Sequence, residues 1–176
     1  MRRRELRRMT IAELNAVDRD AFVAAVGFAF EHSPWIAASA YDRRPFRDAA
    51  ALHGAMMAVL DGAPEDRKVA LIDAHPDLAG RVAREGRLTA ASTDEQASAG
   101  LDRLSAEERT RFDALNAAYR SRFGFPFVIC AREHGKDSIL DALKRRSRND
   151  RGDEIAAALR EIGKIARLRL DDTVKD

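Results

Sequence analysis

Only one of the 176 residues is a cysteine, Cys130. The chain therefore closes no intramolecular disulfide and builds no thiolate cage for a metal, and a reducing compartment is expected. Glycine and proline are sparse, at 10 and 5. No Ser-, Gly- or Pro-rich run has the composition of a linker, which predicts a single domain over residues 1–176. Nowhere does the chain approach the ~20 consecutive apolar residues that a bilayer span needs. The start, MRRRELRRMT, leads into a polar segment and not into a signal-peptide core, so neither membrane insertion nor secretion is expected. An excess of one charge is missing too: 31 Lys and Arg stand against 29 Asp and Glu, a formal charge of +2. That balance supplies no protein-wide field for capturing a polyanion. Gly-rich phosphate loops, an HExxH pair and a GxSxG elbow are all absent from the sequence, so it gives no support for a bound metal, a nucleotide or a serine nucleophile.

What is present is helical spacing. Apolar residues recur at three- and four-residue intervals in most windows, and strand-like alternation is nearly missing. Phe22, Val26 and Phe30 mark one helix, which ends before Ser33-Pro34, and Pro34 opens the next. A helix between Pro45 and Leu60 carries Phe46, Leu52, Met56 and Val59, with Asp61-Gly62 as its stop. Further helices are predicted from about Glu65 to Ala74, from Pro76 to Arg84, from Ser105 to Phe123, from Ile139 to Arg146 and from Ile155 to Leu170. The Ser105–Glu108 pair reads as a capping box for the fourth of these helices after Pro34. The run Phe125-Pro126-Phe127-Val128-Ile129-Cys130 contains a proline unsuited to a central strand and reads as an extended buried segment. The expected fold is all-α, a compact bundle of roughly eight helices, with residues 1–10, including Arg2, Arg3 and Arg4, as a disordered basic tail.

Three features stand apart from ordinary packing. His75 precedes Pro76 where the chain turns, and imidazole is the side chain whose unperturbed pKa lies near neutrality. It is either a general base or a residue that caps and packs the helix start. Ser92, Glu95 and Gln96 share one face of any helix beginning there, a face able to grip a polar heterocycle. The same letters form an S-x-x-E capping box in which Glu95 only reaches back to the Ser92 amide. Arg169 falls inside the apolar arc of Leu159, Ile162, Ile165 and Ala166 at 100° per residue, so it should face inward. It is then half of an internal salt bridge or a clamp for a ligand anion. The basic run from Lys144 to Arg151 has no interleaved aromatics for base stacking and suits a helix C-terminus, so nucleic-acid binding is not expected.

Taken in order, the segments resemble the 2-oxo-4-hydroxy-4-carboxy-5-ureidoimidazoline (OHCU) decarboxylases of urate breakdown. The resemblance rests on His75-Pro76-Asp77-Leu78-Ala79, Leu88-Thr89, Ser92, Glu95-Gln96 and Ala99-Gly100-Leu101. It continues through Asn116, Tyr119, Phe123 to Val128, Glu154, Glu161 to Ala166 and Arg169-Leu170, and upstream through Phe30 to Trp35. It spans roughly residues 22–170. It implies an all-helical enzyme without cofactor or metal, often a homodimer, that converts OHCU to (S)-allantoin. By matching of motifs, His75 and Glu95 take the catalytic positions. Pro76, Ser92, Gln96, Arg169 and the backbone of Phe127, Val128 and Ile129 take the substrate-contacting ones. The chemistry needs no cofactor because the substrate's own conjugated C=N and C=O groups accept the electrons left by carbon dioxide. The remaining chain end, Thr173 to Asp176, is not a peroxisomal SKL signal, and a cytoplasmic location is expected. The competing expectation is a non-enzymatic helical adaptor with a basic patch, which permits His75, Glu95 and Arg169 to be scattered.

Overall fold

The protein, seen in a computed structural model, is described over residues 8–176; the expected basic tail lies outside the described residues except at its end, where Met9–Thr10 form strand β1. Two compact units emerge, one comprising the chain up to Arg67 together with Gly163–Asp176, the other Lys68–Ile162. The regular structure of the described residues is almost entirely helical, with ten α-helices where roughly eight were expected.

In the first unit lie α1 (Ile11–Ala16), α2 (Arg19–Val26), α3 (Trp35–Ala40) and α4 (Ala49–Asp61). β1 pairs in parallel with β2 (Val174–Lys175), Met9 opposite Val174. Helix α1 has no proline or glycine signal. It is started by a Thr10–Glu13 capping box that anchors buried Ile11 and Leu14. Helix α4 begins at Ala49, not at Pro45. Asn15 holds Phe46 in extended backbone through two hydrogen bonds of 2.8 Å, to its N–H and C=O, and Asp48 supplies the N-cap by accepting from Ala51 N. Phe46 is still core, reached from the loop. Leu52, Met56 and Leu60 line the inner face of α4 and join Phe22 and Ile36. Gly163 sits so close to Met57 that an added Cβ would meet its Cε at 3.0 Å, and its carbonyl lies 2.8 Å from His53 Nε2.

The second unit contains most of α5 (Glu65–Asp73), then α6 (Arg81–Arg84), α7 (Ala90–Ser98), α8 (Ala106–Phe123), α9 (Lys136–Arg146) and the first part of α10 (Arg151–Thr173). The Ser105–Glu108 capping box is present, and α8 ends at Gly124 in the left-handed region, φ 82°, where glycine pays no Cβ penalty. The core gathers Phe112, Tyr119, Phe123, Phe125 and Phe127, with Tyr119 edge-on to Phe127 at 5.4 Å. Two sequence expectations are corrected here. Residues 76–80 do not begin a helix: Ala79 has φ 54°, which no helix accommodates, and helix geometry starts only at Arg81. Likewise α7 is capped by Thr89, whose hydroxyl accepts from Ser92 N at 3.2 Å. Ser92 is therefore inside the helix, and the Ser92–Glu95 capping box does not form.

Candidate active site

His75 stands just past the end of α5. Its main-chain N–H turns to Ile72 O (3.1 Å), and its ring Nδ1 lies 2.9 Å from Leu71 O in place of the regular helical bond. A carbonyl oxygen only accepts, so Nδ1 carries a proton in this contact. The ring is buried, 7% exposed. A buried imidazole of fixed orientation is what proton transfer at a defined point requires.

The loop after it is held from three sides. Gln96 on α7 accepts from Ala79 N through Oε1 at 2.9 Å. Asn116 on α8 donates to Leu78 O at 2.9 Å. Arg84 donates to Ala79 O at 3.0 Å and pairs with Asp113. Gly80 closes the turn so tightly that a Cβ there would approach that of Asp77 at 2.8 Å. The positive φ of Ala79 costs about 1–3 kcal/mol and persists because these contacts over-determine it. Asn116 Oδ1, buried without a hydrogen-bond partner, adds a further penalty to the clamp. Strain of this kind beside a buried histidine fits a functional loop.

With Thr89 as the cap, Ser92, Glu95 and Gln96 share one face inside α7. Ser92 and Gln96 are buried, and Glu95 is half-buried. Since Gln96 Oε1 is engaged by Ala79 N, its amide Nε2 is the end able to address a ligand, as a donor only. Helix α7 also packs on the short turn Ala131–Glu133, which follows directly from the extended segment. Within the second unit, then, the loop after His75 is bound to Gln96 of α7, and α7 packs on the turn that follows the Phe125–Cys130 segment. A cleft of about 440 Å³ touches Gln96 and Ala79 but is not lined by His75 or Glu95. It is a separate feature.

The extended segment is buried from Phe125 to Cys130 and has no strand partner among the described residues. Its main chain is bound by side chains instead. Arg146 Nη1 donates to Val128 O at 2.8 Å, and Cys130 N donates to Glu161 at 2.9 Å. Arg146 was expected in a basic patch, but it is turned inward from the end of α9 while Lys144 and Arg145 stay exposed. Glu154, fully buried, receives Arg146 Nε (3.1 and 3.2 Å) and Nη2 (3.0 Å), Asn149 Nδ2 (2.8 Å) and the Tyr119 hydroxyl. Sequence spacing could not reveal this cluster, because its members come from three helices and a loop.

Burial, with Glu154 close by, raises Tyr119 well above the usual phenol value of 10.0. The unfolded chain releases this proton near pH 10 while the folded chain retains it. The stabilisation is therefore complete below that pH and declines as pH rises above it. Urea unfolding should show stability falling above about pH 10, and Tyr119→Phe should remove that share of the slope. An unchanged alkaline slope in the variant would contradict the assignment.

Arg169 belongs to the first unit and is 4% exposed. Its Nη1 donates to Glu31 Oε2 at 2.8 Å and to Phe28 O at 3.2 Å, and Glu31 is itself 3% exposed. The inward orientation expected from periodicity is present, and the partner is an internal carboxylate. Among the described residues, Glu133, His134 and Glu161 bring potential ligand atoms within 4.8 Å of one another. His134 Nδ1 also contacts Ser138 Oγ at 2.8 Å, and Glu161 holds Cys130 N, so both already serve local structure.

The fold and this arrangement define a helical protein with a buried, oriented histidine beside a polar helix face, the equipment of an enzyme acting on a small polar molecule. The chain matches the OHCU decarboxylase family over residues 15–171 and belongs to it. It is 41% identical over 162 residues to the 2-oxo-4-hydroxy-4-carboxy-5-ureidoimidazoline decarboxylase of Haloferax volcanii, covering 92% of this chain and 94% of that one. The decarboxylase of Mus musculus is 40% identical over 164 residues, covering 93% and 92%. A crystal structure of (S)-allantoin synthase superposes with a TM-score of 0.77 at 27% identity, over 95% of this chain and 54% of that longer one. A second, of OHCU decarboxylase in the presence of (S)-allantoin, shares the fold with a TM-score of 0.65 at 21% identity, covering 88% of this chain and 96% of that one. Nothing in these relationships favours the adaptor.

Proposed function

We propose that the protein is the decarboxylase of urate degradation that converts OHCU to (S)-allantoin, with His75 as its proton carrier. The observation that carries the site assignment is the Nδ1–Leu71 hydrogen bond, which fixes the orientation of the buried ring. As carbon dioxide leaves, the bonding electrons move into the ring's conjugated C=N and C=O system. The ring nitrogen that receives them takes up a proton, the substrate hydroxyl gives up its own as it becomes a carbonyl, and a proton is delivered to one face of the ring, a net uptake of one proton. His75 transfers protons at the hydroxyl or ring, and Glu95 orients it or supplies charge. Ser92 and the Gln96 amide read the urea-like groups, Pro76 shapes the wall, and the Phe127, Val128 and Ile129 backbone adds amide and carbonyl partners. Arg169 contributes positive charge toward the carboxylate or a ring oxygen, with Glu31 holding its guanidinium in place.

The test generates OHCU in situ from urate with the two upstream enzymes and follows allantoin by circular dichroism. Stereospecific (S)-allantoin above the uncatalysed rate is expected, and racemic product at the uncatalysed rate would reject the reading.

The reading also has the enzyme working without cofactor or metal, as a homodimer in the cytoplasm, with no nucleic-acid partner. Activity should survive exhaustive EDTA treatment, because the electron sink is the substrate itself. Loss of activity restored by one divalent metal would contradict this and bring Glu133, His134 and Glu161 into question. No helix of the described residues is long and apolar enough to cross a membrane.

A further inference from the structure

We infer that Arg146, locked by Glu154, is the residue that positions the Phe127–Ile129 backbone for substrate. The inference rests on the reading that this backbone contacts the substrate. An extended segment in a helical protein has no ladder to set its register, and Pro126 provides no N–H at all. The carbonyl in the middle of the segment, Val128 O, is held by Arg146 Nη1 at 2.8 Å. The same guanidinium lies over the Phe127 ring, its Cζ 4.4 Å from the centroid. One planar group thus fixes both a main-chain acceptor and the adjoining side chain. Nε and Nη2 of that group are occupied by Glu154, whose orientation is set in turn by Tyr119 and Asn149.

A fully buried ion pair is poor economy for stability, since apolar residues of like volume commonly do as well or better. What the pair adds here is direction. A guanidinium fork carries the Val128 bond and the Glu154 bonds simultaneously; a lysine ammonium, a point donor on a flexible stem, does not reproduce that geometry. Arg146 is accordingly a positioning residue, acting on substrate only through the segment it holds.

The decisive variant is Arg146→Lys, which keeps the charge opposite Glu154 and gives up the fork. It should fold and raise KM about tenfold with kcat changed by less than about threefold, as expected when substrate contacts are displaced and the proton carrier is not. Its pH profile, set at His75, should stay that of the wild type. Glu154→Gln should move KM in the same direction by releasing the guanidinium. A folded Arg146→Lys with KM within about twofold of wild type overturns the proposal, and so does an Arg146→Lys that fails to fold, because the pair is then only a structural requirement. Main-chain amide shifts of Phe127, Val128 and Ile129 in the wild-type protein on titration with (S)-allantoin separate the two levels. If those amides stay still, the assignment of the segment to the site fails. If they respond while KM of the variant is unchanged, only the role of Arg146 fails.

Discussion

Replacing His75 by alanine should lower turnover by about 10²- to 10⁴-fold, the range that a positioned acid–base group supplies. The helices should remain. Substitution removes the ring's hydrogen bond to Leu71 O, and the loss of such a bond costs on the order of 1 kcal/mol. That is too little to unfold a domain of this size. Helical circular dichroism and the thermal midpoint should therefore stay near wild type while allantoin formed in the coupled assay loses its handedness. The chirality readout is the more informative of the two, because spontaneous decay of the substrate continues in any variant and yields racemate. Retained (S)-selectivity at full rate would remove His75 from the chemistry. Collapse of the fold would make the buried ring a packing residue, the other reading its sequence position allowed.

The second large effect is expected at Arg169. Arg169→Gln removes the guanidinium that lies 2.8 Å from Glu31, itself 3% exposed, and breaking a buried pair from one side costs about 3–5 kcal/mol. Denaturant titration should show that loss. The paired variant Glu31→Gln with Arg169→Gln should recover much of it, since no isolated charge remains. Ligand titration on the two then separates structure from binding. If Arg169 also addresses the substrate anion, the paired variant is stable yet binds (S)-allantoin about one to two decades more weakly, the value of a charge-assisted hydrogen bond. Recovered stability with unchanged affinity would confine Arg169 to its pair with Glu31.

Each residue proposed for the site was legible to a different depth. The face made by Ser92, Glu95 and Gln96 follows from helical spacing alone, and the structure strengthens it by moving the cap to Thr89. Periodicity also placed Arg169 inward, because the 100° step is a property of the helix and needs no partner to be known. Its choice of Glu31 lay beyond periodicity: the pairing spans most of the chain, and nothing local to either residue encodes it. His75 was singled out by its proline neighbour, but the orientation of its ring depends on Leu71 O, which is presented only because the last turn of α5 tightens.

The helical class, the Ser105 cap, the Gly124 stop and the extended character of Phe125–Cys130 are all readable from the order of residues. All of these rest on interactions within a few residues: capping bonds, φ preferences and the missing proline N–H. Tertiary structure alone decided the non-helical turn at Pro76–Gly80, where Gln96, Asn116 and Arg84 hold Ala79 at a positive φ that no local rule would choose. It also decided that Arg146 leaves its basic neighbours for the interior. A cationic side chain enters the core only where a carboxylate awaits it, and Glu154 reaches that point on a different helix.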